Sequence, residues 1–385
     1  MKVCFDTFGC RLNRAEALET EAEYLAKGWV KTDKHSDADL IVVRGCSVTA
    51  RAQKDCEKLI SHIRRKYPTK RVIVAGCLPE AQVRHDAEIK TKNIPMGTTR
   101  AFLKVQDGCN SKCSFCIVPK FRGKSVSIPF EDCLDRAKRF ADAGFREIVV
   151  TGCNLMQYND GGRYLPDLTA ALASISPEIR VRLGSIEPGE IANDTVDVVS
   201  TFDNICNFLH LSIQSGSTPI LASMRRRYSA RDVDSLVQRI ETKLPICGLG
   251  CDLIAGFPGE RDIDFMATIG LVERHKFNRL HVFPYSERPG TTAEFLPCVI
   301  PKEVRKARAA DLAEVGNAQR ERFAKSFVGK TVEIVVEDEK SISGWTAEYL
   351  WCTATNPAMR AAKRRSRVKV AVRSYSGHIL SGIVL

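Results

Sequence analysis

Three times in the first eighty residues a short apolar run ends in Gly-Cys: Phe8-Gly9-Cys10, Arg44-Gly45-Cys46 and Ala75-Gly76-Cys77. The runs cover residues 3–8, 40–43 and 72–75, and helix-like stretches at 15–26 and 50–66 lie between them. Short strands alternating with helices predict a parallel sheet. In such a sheet the C-terminal strand ends share one edge, and ligands bind at that edge. Cysteines far apart in sequence are therefore expected to meet at one spot, with glycines allowing the turns that aim the sulfurs inward. One such cysteine alone reads as a small buried hydrophobe; three at equivalent strand ends do not.

A second run of βα units starts near residue 100. Candidate strands fall at 102–106, 147–151, 181–184, 208–213, 250–255 and 279–284, with helical stretches at 130–143, 165–174, 230–244 and 263–275. Six units predict an open, partial (β/α)6 barrel rather than a closed eight-stranded one. Residues 302–327 read as one long charged helix. Segments 331–336, 346–351, 368–372 and 378–384 then alternate like strands of a small β-barrel. The chain is thus expected to be α/β with domains at 1–97, 98–327 and 328–385.

Directly after the candidate strand 102–106 stands Cys109-Asn-Ser-Lys-Cys113-Ser-Phe-Cys116. This is the strand end where barrel active sites are built. Thiolates hold iron–sulfur clusters. Three of them leave one iron of a four-iron cube without a protein ligand, free to bind substrate or cofactor. The competing reading is structural zinc, which needs a fourth ligand such as Cys133 or Cys153. The strand-end trio Cys10, Cys46 and Cys77 likewise stops at three, so a second cluster would also keep an open iron. The other nine of the fifteen cysteines have no matching spacing and are expected to be mostly core residues.

Fifteen cysteines without a secretory pattern at MKVCFDTFGC favour metal or redox chemistry over disulfides. No stretch approaches a membrane span of about 18 apolar residues, so the chain is expected in the cytoplasm. Net charge is +12. Residues 301–385 hold 16 Lys/Arg against 9 Asp/Glu, which suits nucleic acid as a partner.

These motifs resemble the radical S-adenosylmethionine superfamily through Cys109, Cys113, Phe115 and Cys116, and its methylthiotransferases through Gly9-Cys10-x2-Asn13, Cys46-x-Val48-Thr49 and Gly76-Cys77. Further matching stretches are Pro119-x2-Arg122-Gly123, Ser185-Ile-Glu187-Pro188, His210 to Ser217, Met224 to Tyr228, Asp252 to Glu260 and His281 to Ser286. The resemblance runs through the whole chain: a cluster-binding N-terminal domain, a radical domain and a small β-barrel of the TRAM type. Arg44-Gly45 stands where the family usually has Asn-Thr.

What the resemblance implies is specific. Two [4Fe–4S] clusters would sit on Cys109, Cys113 and Cys116 and on Cys10, Cys46 and Cys77. The first would bind S-adenosylmethionine and release a 5′-deoxyadenosyl radical that takes hydrogen from C2 of an adenine. The second would supply the sulfur. Phe115, Ser185, Glu187, Gln214, Arg225 and Gly256 are the expected cofactor-binding residues, Arg225 through a carboxylate and Gly256 by letting backbone approach the adenine. Lys363, Arg364, Arg365 and Arg367 of the barrel would contact RNA phosphates. Met224 to Tyr228 and His281 to Ser286 look most like the subgroup acting on threonylcarbamoyladenosine next to the anticodon of tRNA, at position 37. An electron donor such as a flavodoxin or ferredoxin is implied. Alternatives are methylthiolation of isopentenyladenosine in tRNA or of a ribosomal-protein aspartate. Outside enzymes, a zinc-containing RNA-binding protein is the alternative.

Overall fold

The structure, a computed structural model, describes residues 1–81, 93–355 and 362–385. The N-terminal sheet is parallel, in the order Val30–Lys31, Lys2–Thr7, Leu40–Gly45, Arg71–Gly76. Ile41, Val43 and Val74 pack against Cys56, Ile60 and Ile63 of the helix Ala50–Lys66. The other face meets the helix Arg11–Ala26, which begins directly after Cys10, earlier than the apolar periodicity suggests. Cys10 is its N-cap residue.

Six parallel strand positions form the arc of the central barrel. Ala101–Lys104, Glu147–Thr151 and Arg180–Arg182 make one sheet. Ser185–Ile186, Phe208–Gln214, Gly248–Ala255 and Phe277–Pro284 make the next. The third strand breaks between Arg182 and Ser185, and an isolated bridge from Val181 to Ile205 joins the two sheets. Leu209, Leu211, Ile213, Leu249, Cys251 and Leu253 share one buried core with Val233, Leu236 and Ile240 of the helix Ala230–Lys243. Alternation along a strand turns their neighbours His210, Gly250 and Asp252 to the opposite, inner face.

The arc is open on one side, and the N-terminal domain lies against that opening. Its helix Arg11–Ala26 packs on the strand Ala101–Lys104. The Ala50 N–H donates to Ser286 Oγ at 3.2 Å, beyond the last barrel strand. The long helix Lys302–Lys325 covers that last strand.

Five strands close the C-terminal barrel in the order Thr331–Asp338, Ser343–Thr346, Trp351–Thr355, Ile379–Val384 and Arg367–Ser376, with the third and fourth paired parallel and the rest antiparallel. The strand expected at residues 346–351 is instead the turn between two strands. Tyr349 there takes φ +64, and the Thr346 N–H donates to the Leu350 carbonyl at 2.9 Å. Alternating apolar residues on both sides of a tight turn mimic one continuous strand. This turn seats against the N-terminal strand ends of the central barrel. Arg180 and Arg182 donate to the carbonyls of Trp345, Thr346 and Ala347 at 2.8, 2.8 and 3.1 Å. Both guanidiniums also pair with Glu147, which is fully buried.

Candidate active site

The loop carrying Cys109, Cys113 and Cys116 leaves the short strand Gln106–Asp107 and is pinned at both ends. Cys109 N–H donates to the Gly123 carbonyl at 3.1 Å, and Ser114 N–H to the Met224 carbonyl at 3.0 Å. Gly108 has φ +65, and a Cβ there would lie 1.9 Å from the Lys124 oxygen, so only glycine fits. Polar donors ring the sulfurs: Arg226 Nη1 is 3.3 Å from Cys113 Sγ, and Gln157 Nε2 is 3.6 Å from Cys109 Sγ. Burial pushes the Cys116 thiol up to about 12, and Cys113 and Cys109 add to the rise.

The second trio forms at the edge of the N-terminal sheet. Gly45 and Gly76 are register partners, and Cys77 N–H donates to the Gly45 carbonyl at 3.2 Å. A Cβ on Gly9 would come within 2.9 Å of Cys46 Sγ, so the backbone at Cys10 abuts Cys46. Burial raises the Cys46 thiol to about 11, with Cys10 and Cys77 contributing. The structure thus brings Cys10, Cys46 and Cys77 together.

The two trios adjoin. Cys77 packs with Ile117 and Phe121, the residues following Cys116. Arg122, at the end of the helix Val118–Arg122, donates its Nε–H to Cys77 Sγ at 3.0 Å. Its remaining nitrogens reach Glu16, Asp107 and Asn13 at 2.9, 3.0 and 2.8 Å. Lys104 bonds the same two carboxylates at 2.7 and 2.6 Å. Arg44, the departure from the family pattern, pairs with Glu16 in this network. Burial opposes ionisation of Glu16, but Arg122, Lys104 and Arg44 outweigh it and hold its carboxyl below the ordinary range. On the other flank, buried Arg288 pairs with Gln53, and its Nε has no hydrogen-bond partner.

Tetrahedral zinc sets its sulfurs about 3.8 Å apart, from bonds of ~2.3 Å. Among the described residues, the triads of metal-binding atoms within 4.8 Å of one another are Cys4–Asp6–His35 and His210–Asp252–His281. Neither cysteine trio is among them. Of the candidate fourth zinc ligands, Cys133 is buried in the barrel core, whereas Cys153 sits at the junction of the trios with its sulfur 3.4 Å from Asp107. Burial raises the thiols of Cys46, Cys77, Cys113 and Cys116, so metal binding there must displace their protons. Arg122 and Arg226 offset the negative charge this creates. Of the nine remaining cysteines, seven are buried; Cys153 is half-buried and Cys298 exposed.

The other expected site residues divide. Phe115 packs edge-on against Phe257, beside Met224 and Tyr285, with the Arg226 guanidinium 5.9 Å from its ring. Glu187 binds Asn154 at 3.0 Å and forms an ion pair with Arg226. Ser185 is exposed on its two-residue strand, and Gln214 ends its strand at φ +74, buried. Arg225 is exposed at φ +57; the inward guanidinium is its neighbour Arg226. The run of arginines from 225 to 227 gave no way to choose among them, because the direction depends on the turn. Gly256 has φ +72, and a Cβ there would meet Arg305 Cγ at 2.4 Å. The long C-terminal helix packs directly against that glycine and leaves no room for a side chain. Of Asn154, Gln157, Arg122 and Arg288, which also line the site, only Arg122 carries a sequence signal, within Pro119-x2-Arg122-Gly123.

Three of the four residues expected to contact RNA also make hydrogen bonds within the chain. Arg365 donates to the carbonyls of Met96, Thr98 and Ala143 at 2.7, 2.9 and 3.2 Å and stacks 3.7 Å from the Phe145 ring centroid. Arg364 bonds Thr99 and Gly97 at 3.1 and 3.2 Å. Arg367 bonds Glu333 and the Pro177 carbonyl, both at 2.7 Å. These three arginines tie the small barrel to the rest of the chain. Lys363 alone of the four is exposed without a side-chain partner among the described residues.

The family model for the radical SAM superfamily matches residues 103–272, and that for "Uncharacterized protein family UPF0004" matches residues 2–96. A threonylcarbamoyladenosine tRNA methylthiotransferase of Chlamydia pneumoniae is 34% identical over 358 residues, covering 86% of this chain and 85% of the relative. The chain belongs to the radical S-adenosylmethionine methylthiotransferase family. It is therefore an enzyme of a family that uses S-adenosylmethionine and a [4Fe–4S] cluster. A relative of the same name from Aquifex aeolicus (strain VF5) is 30% identical, covering 89% of this chain and 94% of its own. A tRNA-2-methylthio-N(6)-dimethylallyladenosine synthase of Chlorobium limicola is also 30% identical, with 88% and 87% covered. A solved structure of the radical S-adenosylmethionine methyltransferase TsrM from Kitasatospora setae, with cobalamin and a [4Fe-4S] cluster bound, shares the fold. Its TM-score is 0.55 at 12% identity, covering 82% of this chain and 90% of its own. No helix among the described residues is long and apolar enough to cross a membrane.

Proposed function

We propose that this methylthiotransferase modifies C2 of N6-threonylcarbamoyladenosine at position 37 of tRNA, using two [4Fe–4S] clusters, on Cys109, Cys113 and Cys116 and on Cys10, Cys46 and Cys77. The observation that carries this is the juxtaposition of the two trios, with the Arg122 side chain reaching from the segment after Cys116 to the Cys77 sulfur at 3.0 Å. The names of the Chlamydia and Aquifex relatives support the substrate. When bound, the groups on the two trios supply radical activation of C2–H with S-adenosylmethionine on one side and the methylthio sulfur on the other.

The chain's own residues position and shield. Arg226 steadies Cys113 while its ion pair fixes Glu187 at the barrel mouth. Phe115 gives that mouth an apolar wall beside Phe257. The buried Glu16–Lys104–Asp107–Arg122 network fills the junction between the trios and keeps water out of it. With Arg364, Arg365 and Arg367 committed to the fold, the charge of the small barrel no longer argues strongly for RNA over protein. The weight falls on the relatives. A flavodoxin or ferredoxin would deliver electrons, and the cytoplasm is the compartment that provides tRNA.

Nucleoside analysis of tRNA incubated with reconstituted enzyme, S-adenosylmethionine and a reductant tests this. A 2-methylthio derivative of threonylcarbamoyladenosine is expected. The dimethylallyladenosine reading, favoured by the Chlorobium relative, predicts product only on the other nucleoside.

A further inference from the structure

The inner face of the central barrel holds a group of cations that no carboxylate balances. Arg279 is a register partner of Gly250, which in turn pairs with His210, so the three lie side by side on adjacent strands. Arg279 has no ion pair among the described residues, and its Nε is buried without a hydrogen-bond partner. Its guanidinium stands 4.5 Å from the ring centroid of Tyr349, whose ring stacks at 4.5 Å on Trp345 of the small barrel. Arg11, the residue after Cys10, reaches the same ring at 5.3 Å and likewise has no anionic partner among the described residues. The nearest acid on this face, Asp252, is engaged by His210 and His281 at 3.0 and 3.2 Å.

Arg11 and Arg279 are half-buried over one aromatic floor and have no protein counter-ion among the described residues, which leaves the group open to an anion. All three domains contribute: Arg11 from the first, Arg279 from the second and Tyr349 from the third. Arg11 also places the group beside the second cysteine trio. The Arg279 level lies five residues below the strand tip at Pro284, about 16 Å at ~3.3 Å per residue, inside the barrel rather than on its surface.

We propose that Arg11 and Arg279, over the Tyr349 floor, form the pocket that binds the carboxylate of the threonylcarbamoyl arm while the adenine lies between the trios. This rests on the substrate reading above and names the residues that would set it apart from an uncharged dimethylallyl arm. Positive surroundings favour the tyrosinate at Tyr349: burial opposes it, yet Arg11, Arg100, Arg279 and Arg182 bring its hydroxyl down to about 8. Planar guanidinium forks suit a carboxylate's two oxygens.

The test uses full-length, iron-reconstituted protein and three anticodon stem-loop RNAs: one with threonylcarbamoyladenosine, one with its neutral methyl ester, one with plain adenosine. The wild type is expected to bind the acid about ten-fold or more tighter than the ester, as a charge-assisted contact is lost. Arg279→Met and Arg11→Met should abolish that preference with plain-loop binding unchanged, and Arg279→Lys should retain part of it. If the wild type prefers the acid and both Met variants keep the preference, the pocket is wrong and the substrate reading stands. Equal weakening on all three loops would assign the arginines to backbone phosphates and overturn the proposal. No wild-type preference for the acid over plain adenosine would sink both the pocket and the substrate reading.

Discussion

Arg122 and Cys77 meet across the first domain junction, the arginine donating Nε–H to the sulfur at 3.0 Å. Arg122 is six residues beyond Cys116 in the chain, whereas Cys77 belongs to the other trio. One short helix therefore sets the position of both groups of sulfurs. The pairing also explains a wholly buried arginine: its other nitrogens are consumed by Glu16, Asp107 and Asn13. Relative placement of the two trios is thus fixed by a polar network, not by a loose domain contact.

Anaerobic reconstitution should load about eight irons per chain, two cubes of four. Cys10→Ala should lower this to about four and leave reductive cleavage of S-adenosylmethionine intact while methylthiolation stops. Iron and sulfide assays with product analysis decide it; methylthiolation persisting in the variant would remove the second cluster from the chemistry.

Arg122→Leu should destabilise the chain by about 3–5 kcal/mol, because it strands Glu16 and Asp107 as buried carboxylates with only Lys104 and Arg44 for company. Denaturant unfolding of the metal-free protein measures this apart from cluster content. Arg122→Lys should recover only part of the loss, since one ammonium cannot reach three partners as a guanidinium does. An unchanged unfolding midpoint in Arg122→Leu would contradict the role given to the network.

The trios were legible because their chemistry fixes residue type and local spacing: Gly-Cys at three strand ends, and three cysteines within one loop. The parallel sheets were legible for the same local reason, since βα alternation prints itself on hydrophobic periodicity. What could not be read depended on how separated segments dock. Arg364, Arg365 and Arg367 look in sequence like a free basic stripe, yet their partners are carbonyls of residues 96–98, 143 and 177. Nothing local marks a backbone oxygen as an acceptor from far away. Arg226 rather than Arg225 turned inward for a comparable reason: φ +57 at Arg225 redirects the chain by one residue. The turn within residues 346–351 reads as a strand in sequence because both flanking strands continue the same alternation.

Arg365→Ala should therefore loosen the small barrel instead of weakening phosphate contact. Limited proteolysis is expected to cut faster between residues 93 and 99, where the arginine holds Met96 and Thr98. The slope of log affinity for tRNA against log salt should stay unchanged. A phosphate-contacting arginine would instead reduce that slope by about one when removed, and that result would restore the reading of this stripe as an RNA surface.

Tyr349 offers a titration that reports on the whole cationic group. Burial disfavours its phenolate, but Arg11, Arg100, Arg279 and Arg182 prevail and bring the hydroxyl from 10.0 to about 8. A depressed folded value means that ionisation stabilises the fold. That contribution is complete above the unfolded value near 10 and is lost as pH falls through about 8. Ultraviolet difference titration should show one tyrosine ionising near pH 8, absent in Tyr349→Phe. Stability between pH 8 and 10 should rise more steeply in the wild type than in that variant. Arg279→Met should move the midpoint upward, because it removes one of the charges that favour the phenolate. A bound carboxylate should move it the same way by opposing the second negative charge. Should the midpoint stay near pH 10 in the wild type, the guanidiniums are too well screened to act on the ring, and the case for an anion held between them loses its electrostatic support.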